Sequence, residues 1–439
     1  MNMTHRKLWS LFGSVTLALA LTMPVSAEEP VTEQAQPRLP LEDLRTFVEV
    51  YDRIKVAYVE QIDDKTLLEN AIRGMLSGLD PHSAYLSPDD YKDLQINTTG
   101  EFGGLGIEVG MEDGFIKVVA PIDDTPAAKA DIQAGDLIIK LDNKPVKGLS
   151  LLEAVEKMRG KVGEPITLTI VREGKSAPFT ITLKRAVIKV QSVKHKLLNN
   201  KYGYLRVTQF QTSTGEEVIK SLQKLKKSAH GLNGIILDLR NNPGGVLEAA
   251  VNVSDAFLTK GTIVYTEGRI PNSELRFNAT ADDPSDGIPM VVLINAGSAS
   301  ASEIVAGALQ DHKRAIIMGT DSFGKGSVQT VLPLNRDRAL KLTTALYYTP
   351  NGRSIQAHGI SPDIRVDRAK VTKIEDDNVA SYKEADLARH LSNGNGEADK
   401  PSSQETPADK ADDLAEKDYQ VQQALNLLKG LHIAVKTSP

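Results

Sequence analysis

The chain has no cysteine. That absence excludes a disulfide framework, a thiol nucleophile, cysteine-based zinc sites and a lipidated N-terminal cysteine. There is no His-Glu-x-x-His run to hold zinc. Nor is there a Gly-x-Ser-x-Gly turn to raise a serine for a histidine-based triad, although His82, His312 and His358 are available to one. The net charge of −5 is mild and gives no footing for a nucleic-acid partner. Beyond the N-terminal segment no apolar run is long enough to span a membrane. Nothing in these patterns asks for a metal or a cofactor.

What is present divides into segments, and 439 residues are enough for two or three domains with a sizeable core. Residues 1–27 have the layout of a secretory signal: His5-Arg6-Lys7, an apolar run from Leu8 to Leu21, and Val25-Ser26-Ala27 as a small-residue cleavage site. The run is short for a spanning helix and no stop-transfer pattern follows, so cleavage is expected, with export to the periplasm where the cell has two membranes. Residues 28–97 carry two apolar stripes at helical spacing: Leu41, Leu44, Phe47, Val48, Tyr51, Ile54 and Tyr58, then Leu68, Ala71, Ile72 and Met75. Asp80-Pro81-His82-Ser83 then reads as a turn. A small helical piece has little core of its own, so its stripes serve either core packing or a dimer contact. Residues 98–187 are short strands and turns, and in residues 188–369 strands and helices alternate. Residues 370–411, rich in Asp, Glu, Lys, Asn and Ser, read as a solvated linker. A helix within 412–439 carries the stripe Val421, Ala424, Leu425, Leu428 and Leu431, which either docks on the core or, as favoured here, mediates assembly. The expected class is α+β and multidomain.

The chemistry concentrates between Asn295 and Gln329. Met290-Val-Val-Leu-Ile294 predicts a buried strand, and Ile304, Val305, Ala308 and Leu309 predict a helix with Ser302 as a candidate N-cap and Glu303 favourable in its first turn. Ser298, Ser300 and Ser302 therefore stand where a strand breaks into a helix. A second strand, Ala315 to Met318, leads to Lys325 between two glycines. A serine hydroxyl becomes nucleophilic when a base takes its proton, and a lysine is such a base where desolvation leaves some neutral amine. In an extended segment Gln329 shares a face with Lys325. A P-loop reading of residues 319–326 fails because Gly326 stands where Ser or Thr is required. The Ser-x-x-Lys spacing of β-lactamases fails because Glu303 occupies that place after Ser300. Upstream, Arg240-Asn-Asn-Pro-Gly244-Gly245 joins the strand Gly234 to Leu239 to a helix from Val246 to Phe257. Such a turn is either a tight connection or a set of N–H groups presented to an anion.

The runs SASASEIVAGALQD, residues 298–311, and RAIIMGTDSFGKGSVQ, residues 314–329, resemble the signature of the C-terminal processing peptidases, serine proteases with a Ser-Lys dyad. The resemblance extends from about Val48 to about Val366. It implies Ser300 as nucleophile, Lys325 as base and Gln329 as the residue that orients the lysine. It also implies an oxyanion hole from Ala301 and either Gly244 or Gly245. The fold it implies is a crotonase-like α/β spiral core with an inserted β-rich PDZ domain and flanking N- and C-terminal helices.

Gly103-Gly-Leu-Gly106-Ile-Glu-Val, with Ile132-Gln-Ala-Gly135-Asp136 and the helix Leu151 to Met158, resembles a PDZ domain. There, N–H groups near Gly104, Leu105 and Gly106 could hold a terminal carboxylate while the Ile107 strand edge adds the peptide as an extra strand. Arg159, before a Gly160 that suits a helix C-terminus, reads on its own as a solvated arginine. The resemblance implies instead that it links groove occupancy to the catalytic residues. It further implies exported or envelope proteins as substrates, cell-wall hydrolases among them, a helical-repeat adaptor lipoprotein, dimerisation through the N-terminal helices and a homo-oligomer larger than a dimer. The rival reading is a non-catalytic PDZ scaffold, against which intact Ser300, Lys325 and Gln329 argue.

Overall fold

The computed structural model describes residues 40–122, 124–229, 231–271, 273–370, 389, 391 and 413–437. The expected signal segment and nearly all of the expected linker lie outside the described residues. The described residues divide into two compact units, one ending at Asn70 and the other beginning at Ala71. In the first, helix Leu41–Ala57 places Glu42 and Asp43 at its positive end and Lys55 in its last turn. None of its residues is buried, and Leu41, Leu44, Phe47 and Val48 are exposed along it. Asp64 accepts the Tyr51 hydroxyl at 2.6 Å and pairs with Lys55.

The second unit is organised on a six-stranded sheet in the order Val193–Leu198, Tyr202–Val207, Gly234–Asp238, Met290–Ile294, Ile316–Gly319, Ile364–Arg365. The first pair is antiparallel and the rest are parallel. Every residue of Gly234–Asp238 and Met290–Ile294 is buried, which is why these strands are continuous apolar runs. Alternate side chains leave the sheet on opposite faces. On one face Leu205, Ile235, Leu237, Val292 and Ile294 pack with helices Thr214–Ala229, Leu247–Asp255 and Ala301–Asp311. On the other, Tyr204, Ile236, Val291 and Leu293 pack with Val421, Ala424, Leu425 and Leu428 of helix Tyr419–Thr437.

The expectation that this C-terminal stripe mediates assembly is thereby corrected. The sheet has a second apolar face that its own helices do not reach, and the terminal helix covers it. Polar contacts pin the helix start: Arg240 bonds Asp418 at 2.7 Å and Gln420 at 2.7 Å, and the Gln420 amide donates to the Val366 carbonyl at 2.6 Å.

A five-stranded antiparallel sheet lies beyond the loops at the carboxyl ends of the parallel strands. Its long member, Ala339–Tyr348, pairs with Ala84–Leu86, Thr262–Gly268 and Ser327–Pro333. Residues 101–189 form an insertion closed at its base by an antiparallel ribbon, Glu101–Gly104 against Ala186–Lys189. Above the ribbon a sheet runs in the order Ile107–Glu112, Phe115–Pro121, Leu137–Leu141, Pro165–Val171, Phe179–Lys184, around a separate core of Leu105, Ile116, Ile138, Leu168 and Met158. Strand Ile107–Glu112 ends that sheet, so its outer edge is unpaired among the described residues. Helix Leu151–Met158 starts at a capping box between Ser150 and Glu153.

The helix does not end on a left-handed glycine as expected. Arg159 is extended, with φ −69° and ψ 162°. Gly160 is required for closeness instead, because a Cβ there would lie 2.7 Å from Arg185 Nε, and its N–H donates to the Gly103 carbonyl at 3.1 Å. No helix among the described residues is long and apolar enough to cross a membrane.

Because Leu428 is fully buried between helix and sheet, Leu428→Ala is expected to destabilise the protein by about 2–5 kcal/mol in denaturant unfolding. A stripe that served only assembly would leave that value unchanged.

Candidate active site

Three neighbouring parallel strands deliver three loops to one edge of the sheet. Gly234–Asp238 leads to residues 239–246, Met290–Ile294 to residues 295–300 and Ile316–Gly319 to residues 320–326. The carboxyl ends of parallel strands are where open α/β sheets assemble their sites. Here Gly245, Ser300, Ala301, Lys325, Gln329 and Lys341 line one cavity of about 410 Å³, whose remaining wall includes the apolar Phe210, Val246, Leu247 and Ile304.

The fold separates the three serines. Ser298 is buried and its hydroxyl donates to the Leu239 carbonyl at 2.8 Å. Ser302, expected as the N-cap, lies inside the helix with its hydroxyl on the Asn242 carbonyl at 2.9 Å. Ser300 occupies the cap position and alone of the three lines the cavity. Its backbone has φ 57° and ψ −112°, a conformation that costs about 1–3 kcal/mol for a residue with a Cβ.

Two groups that sequence reasoning missed hold that turn. Glu303, expected only to favour the helix dipole, is fully buried, and its carboxylate accepts from Ser300 N–H at 2.7 Å, Ser322 Oγ–H at 2.6 Å, Gly324 N–H at 2.6 Å and Lys325 N–H at 2.9 Å. Burial pushes its pKa above the ordinary carboxylate value, and the four donors oppose that shift. The Tyr347 hydroxyl lies against the carbonyl oxygens of both Ser300 and Lys325. Nothing local marks Tyr347, which arrives on a strand of the other sheet.

Lys325 is half-buried. Burial first, and then the charge of Lys341, hold its amine below the ordinary lysine value, while Asp80 and Glu303 pull the other way. The expected contact between Gln329 and Lys325 does not form. Their strand begins only at Ser327 and its pairing register shifts between Val328 and Gln329, which interrupts the alternation that would put both on one face. The Gln329 amide nitrogen donates instead to Ser327 Oγ at 3.0 Å and Thr343 Oγ1 at 3.3 Å.

Among the donors offered to an anion, Gly244 is spent, since its N–H bonds Asn242 Oδ1 at 3.0 Å. The N–H groups of Gly245 and Ala301 have no partner among the described residues, and both residues line the cavity. Gly244 is needed for approach: at φ 102°, a Cβ there would stand 2.8 Å from Ser300 Cβ and 3.0 Å from Ala301 N. Asn242, also missed, joins the two loops by accepting Ala299 N–H at 3.0 Å and the Ser302 hydroxyl on its carbonyl.

None of His82, His312 and His358 lines the cavity, and His312 is engaged with the Thr262 carbonyl at 2.8 Å. Among the described residues no group of three or more His, Asp or Glu side chains is placed to hold a metal ion. Arg159 is not at the cavity but stacks over Phe102 of the basal ribbon, 4.7 Å from the ring centroid.

Comparison with known proteins places the chain in a class. The model described as Peptidase family S41 matches residues 201–366, that of a PDZ domain residues 103–183, and that of the activating protease CtpB N-terminal domain residues 17–90. The protein is thus a multidomain serine-type peptidase with a PDZ domain. The carboxy-terminal-processing protease of Bartonella bacilliformis is 49% identical over 436 residues, covering 98% of each chain. Carboxy-terminal processing protease CtpB of Bacillus subtilis is 35% identical over 352 residues, 79% of this chain and 72% of that one. A solved photosystem II D1 C-terminal processing protease is 30% identical, covers 73% of this chain and 87% of its own, and superposes with a TM-score of 0.44. The chain belongs to the carboxy-terminal processing proteases.

The Glu303 carboxylate meets four donors, so Glu303→Gln turns an amide N–H₂ toward at least one of them. A destabilisation on the order of 1–3 kcal/mol is expected in denaturant unfolding.

Proposed function

We propose that the protein is an exported endopeptidase that cleaves peptide bonds through an acyl-enzyme, with Ser300 as nucleophile and Lys325 as general base. What carries the reading is that one serine, held in a strained turn, shares a partly desolvated cavity with one lysine whose pKa is depressed. Neutral Lys325 takes the proton from Ser300 Oγ as the oxygen attacks the carbonyl carbon, and returns it to the leaving amine as the C–N bond breaks. The N–H groups of Gly245 and Ala301 stabilise the oxyanion, and water then releases the acyl group. Gln329 orients the lysine. In the state described it does not bond Lys325, so the catalytic state requires a small closure of these side chains.

The same proposal covers the wider organisation. Residues 1–27 are a cleaved export signal, residues 98–187 collect substrate C-termini along the Ile107 edge, and residues 188–369 form a crotonase-like spiral core. Occupancy of the PDZ groove gates activity through Arg159, whose stacking on Phe102 supports a link between the groove helix and the basal ribbon. Periplasmic or envelope proteins are the substrates, with a helical-repeat adaptor as a further partner. Self-assembly uses the exposed stripe of helix Leu41–Ala57.

Purified Ser300→Ala and Lys325→Ala are each expected to lose peptide and protein cleavage while melting like the parent. Ser302→Ala, which removes only a buried bond to Asn242, is expected to keep most of it. Cleavage by Ser300→Ala would end the assignment.

The pH profile gives an independent check. Activity needs neutral Lys325, so kcat rises with pH through an acid limb below the ordinary lysine value. Lys341 depresses that pKa, so its removal must raise it. In Lys341→Met the limb is expected to move to higher pH; an unmoved limb, or one at lower pH, would show that Lys325 is not the titrating base.

A further inference from the structure

The turn containing Asp80 and Ser83 reaches the cavity's sheet because strand Ala84–Leu86 pairs with Ala339–Tyr348, Ala84 opposite Lys341. Asp80 Oδ1 accepts the N–H of His82 at 2.8 Å, the N–H of Ser83 at 3.0 Å and the hydroxyl of Thr343 at 3.0 Å. Its Oδ2 accepts the Ser83 hydroxyl at 2.6 Å. Ser83 Oγ in turn accepts the Thr343 N–H at 3.1 Å. The Ser83 hydroxyl above all, with the His82 N–H and the Thr343 hydroxyl, holds the Asp80 carboxyl down to about 2. Asp80 is therefore a carboxylate at any working pH, and a carboxylate only accepts.

The direction of every later bond follows. With its hydrogen given to Asp80, Thr343 Oγ1 can only accept from Gln329, and it meets the amide nitrogen at 3.3 Å. The second amide hydrogen goes to Ser327 Oγ at 3.0 Å. Both hydrogens of the amide are then used, and Oε1 is the atom left to accept in the cavity that Gln329 shares with Lys325. A flipped amide would set Oε1 against Thr343, which has no hydrogen to offer.

We infer that Asp80, acting through Thr343, is a positioning residue that fixes the amide of Gln329 with its carbonyl oxygen free to receive the amine of Lys325. The inference rests on the Ser300-Lys325 reading above and extends its machinery to a turn far upstream in the chain.

The test compares full-length Thr343→Val, Thr343→Ser, Asp80→Ala and Ser300→Ala with the parent, measuring kcat and KM on one fluorogenic peptide together with thermal melting. Thr343→Val, nearly isosteric, is expected to lower kcat by about 10- to 100-fold with KM changed less than about twofold, and Thr343→Ser to stay within about threefold of the parent. Asp80→Ala, which removes the acceptor of the Thr343 hydroxyl, should lose kcat as Thr343→Val does. A parent-like kcat in Thr343→Val, an equal loss in Thr343→Ser, or a loss carried by KM overturns the inference. If Thr343→Val does not fold, Thr343→Ala is judged by the same criteria. Cleavage by Ser300→Ala would instead remove the dyad reading itself. An inactive Ser300→Ala beside a fully active Thr343→Val would remove this inference alone.

Discussion

The site depends first on one buried carboxylate. Glu303 holds the N–H of Ser300 from one loop and those of Gly324 and Lys325 from the next, with Ser322 as a fourth donor. Four donors converging on two oxygens offset part of the loss of water around the charge, and they also fix the distance between the two loops. The strained backbone at Ser300 persists because this clamp and the Tyr347 hydroxyl hold it from opposite sides. Helix Ala301–Asp311 starts from that clamp, so the N–H of Ala301 is presented at a helix start rather than consumed within the helix.

Around the clamp the electrostatics are arranged by burial more than by pairing. Among the described residues no carboxylate bonds the Lys325 amine; Asp80 and Glu303 act on it only at a distance, and desolvation with Lys341 outweighs them. A salt bridge there would have kept the amine charged. Carboxylates are instead used where charge must be retained. Buried Asp238 is bonded by Tyr204, Arg206 and Arg240, and Arg240 carries the connection on to Asp418. Burial alone would lower the Arg240 pKa, yet the two carboxylates raise it above the ordinary value. This network lies at the start of the loop that ends in Gly244 and Gly245, so docking of the terminal helix and placement of that loop share a residue.

The PDZ domain stands on a two-stranded ribbon whose geometry is set by close backbone approach. Gly160 bonds the ribbon at Gly103, Arg159 covers Phe102, and Arg185 caps the groove helix through the Lys157 carbonyl at 2.9 Å and the Met158 carbonyl at 3.0 Å. The end of the groove helix and the base of the domain are thus one packed unit.

Much of this was legible in local sequence. Met290–Ile294 is a parallel strand because five consecutive apolar residues suit burial on both faces, and the helix after it follows from a 3.6-residue period. The lysine between glycines and the Gly244-Gly245 turn were legible as candidates, the turn equally as a tight connection. Which of Ser298, Ser300 and Ser302 faces the cavity was not legible, since the side chains are identical and only the carbonyls of Leu239 and Asn242, brought in by a neighbouring strand, consume two of them. The same holds for Gly244 and Gly245, separated by the Asn242 side chain. Alternation misled at Gln329, where a register shift against Ala339–Tyr348 turned the amide toward Thr343. At the C-terminus the period announced an apolar face, but whether a partner or the chain itself covers it depends on a sheet face that exists only once the strands are paired. Thr343 and Tyr347 carried no local signal and Asp80 only that of a turn, because antiparallel pairing brings them together from distant segments, Asp80 from 263 residues before Thr343. Sequence by itself determined the elements and the residue types that can do the chemistry. The tertiary structure decided which copies of those residues meet, because hydrogen-bond partners and burial are set between strands rather than along them.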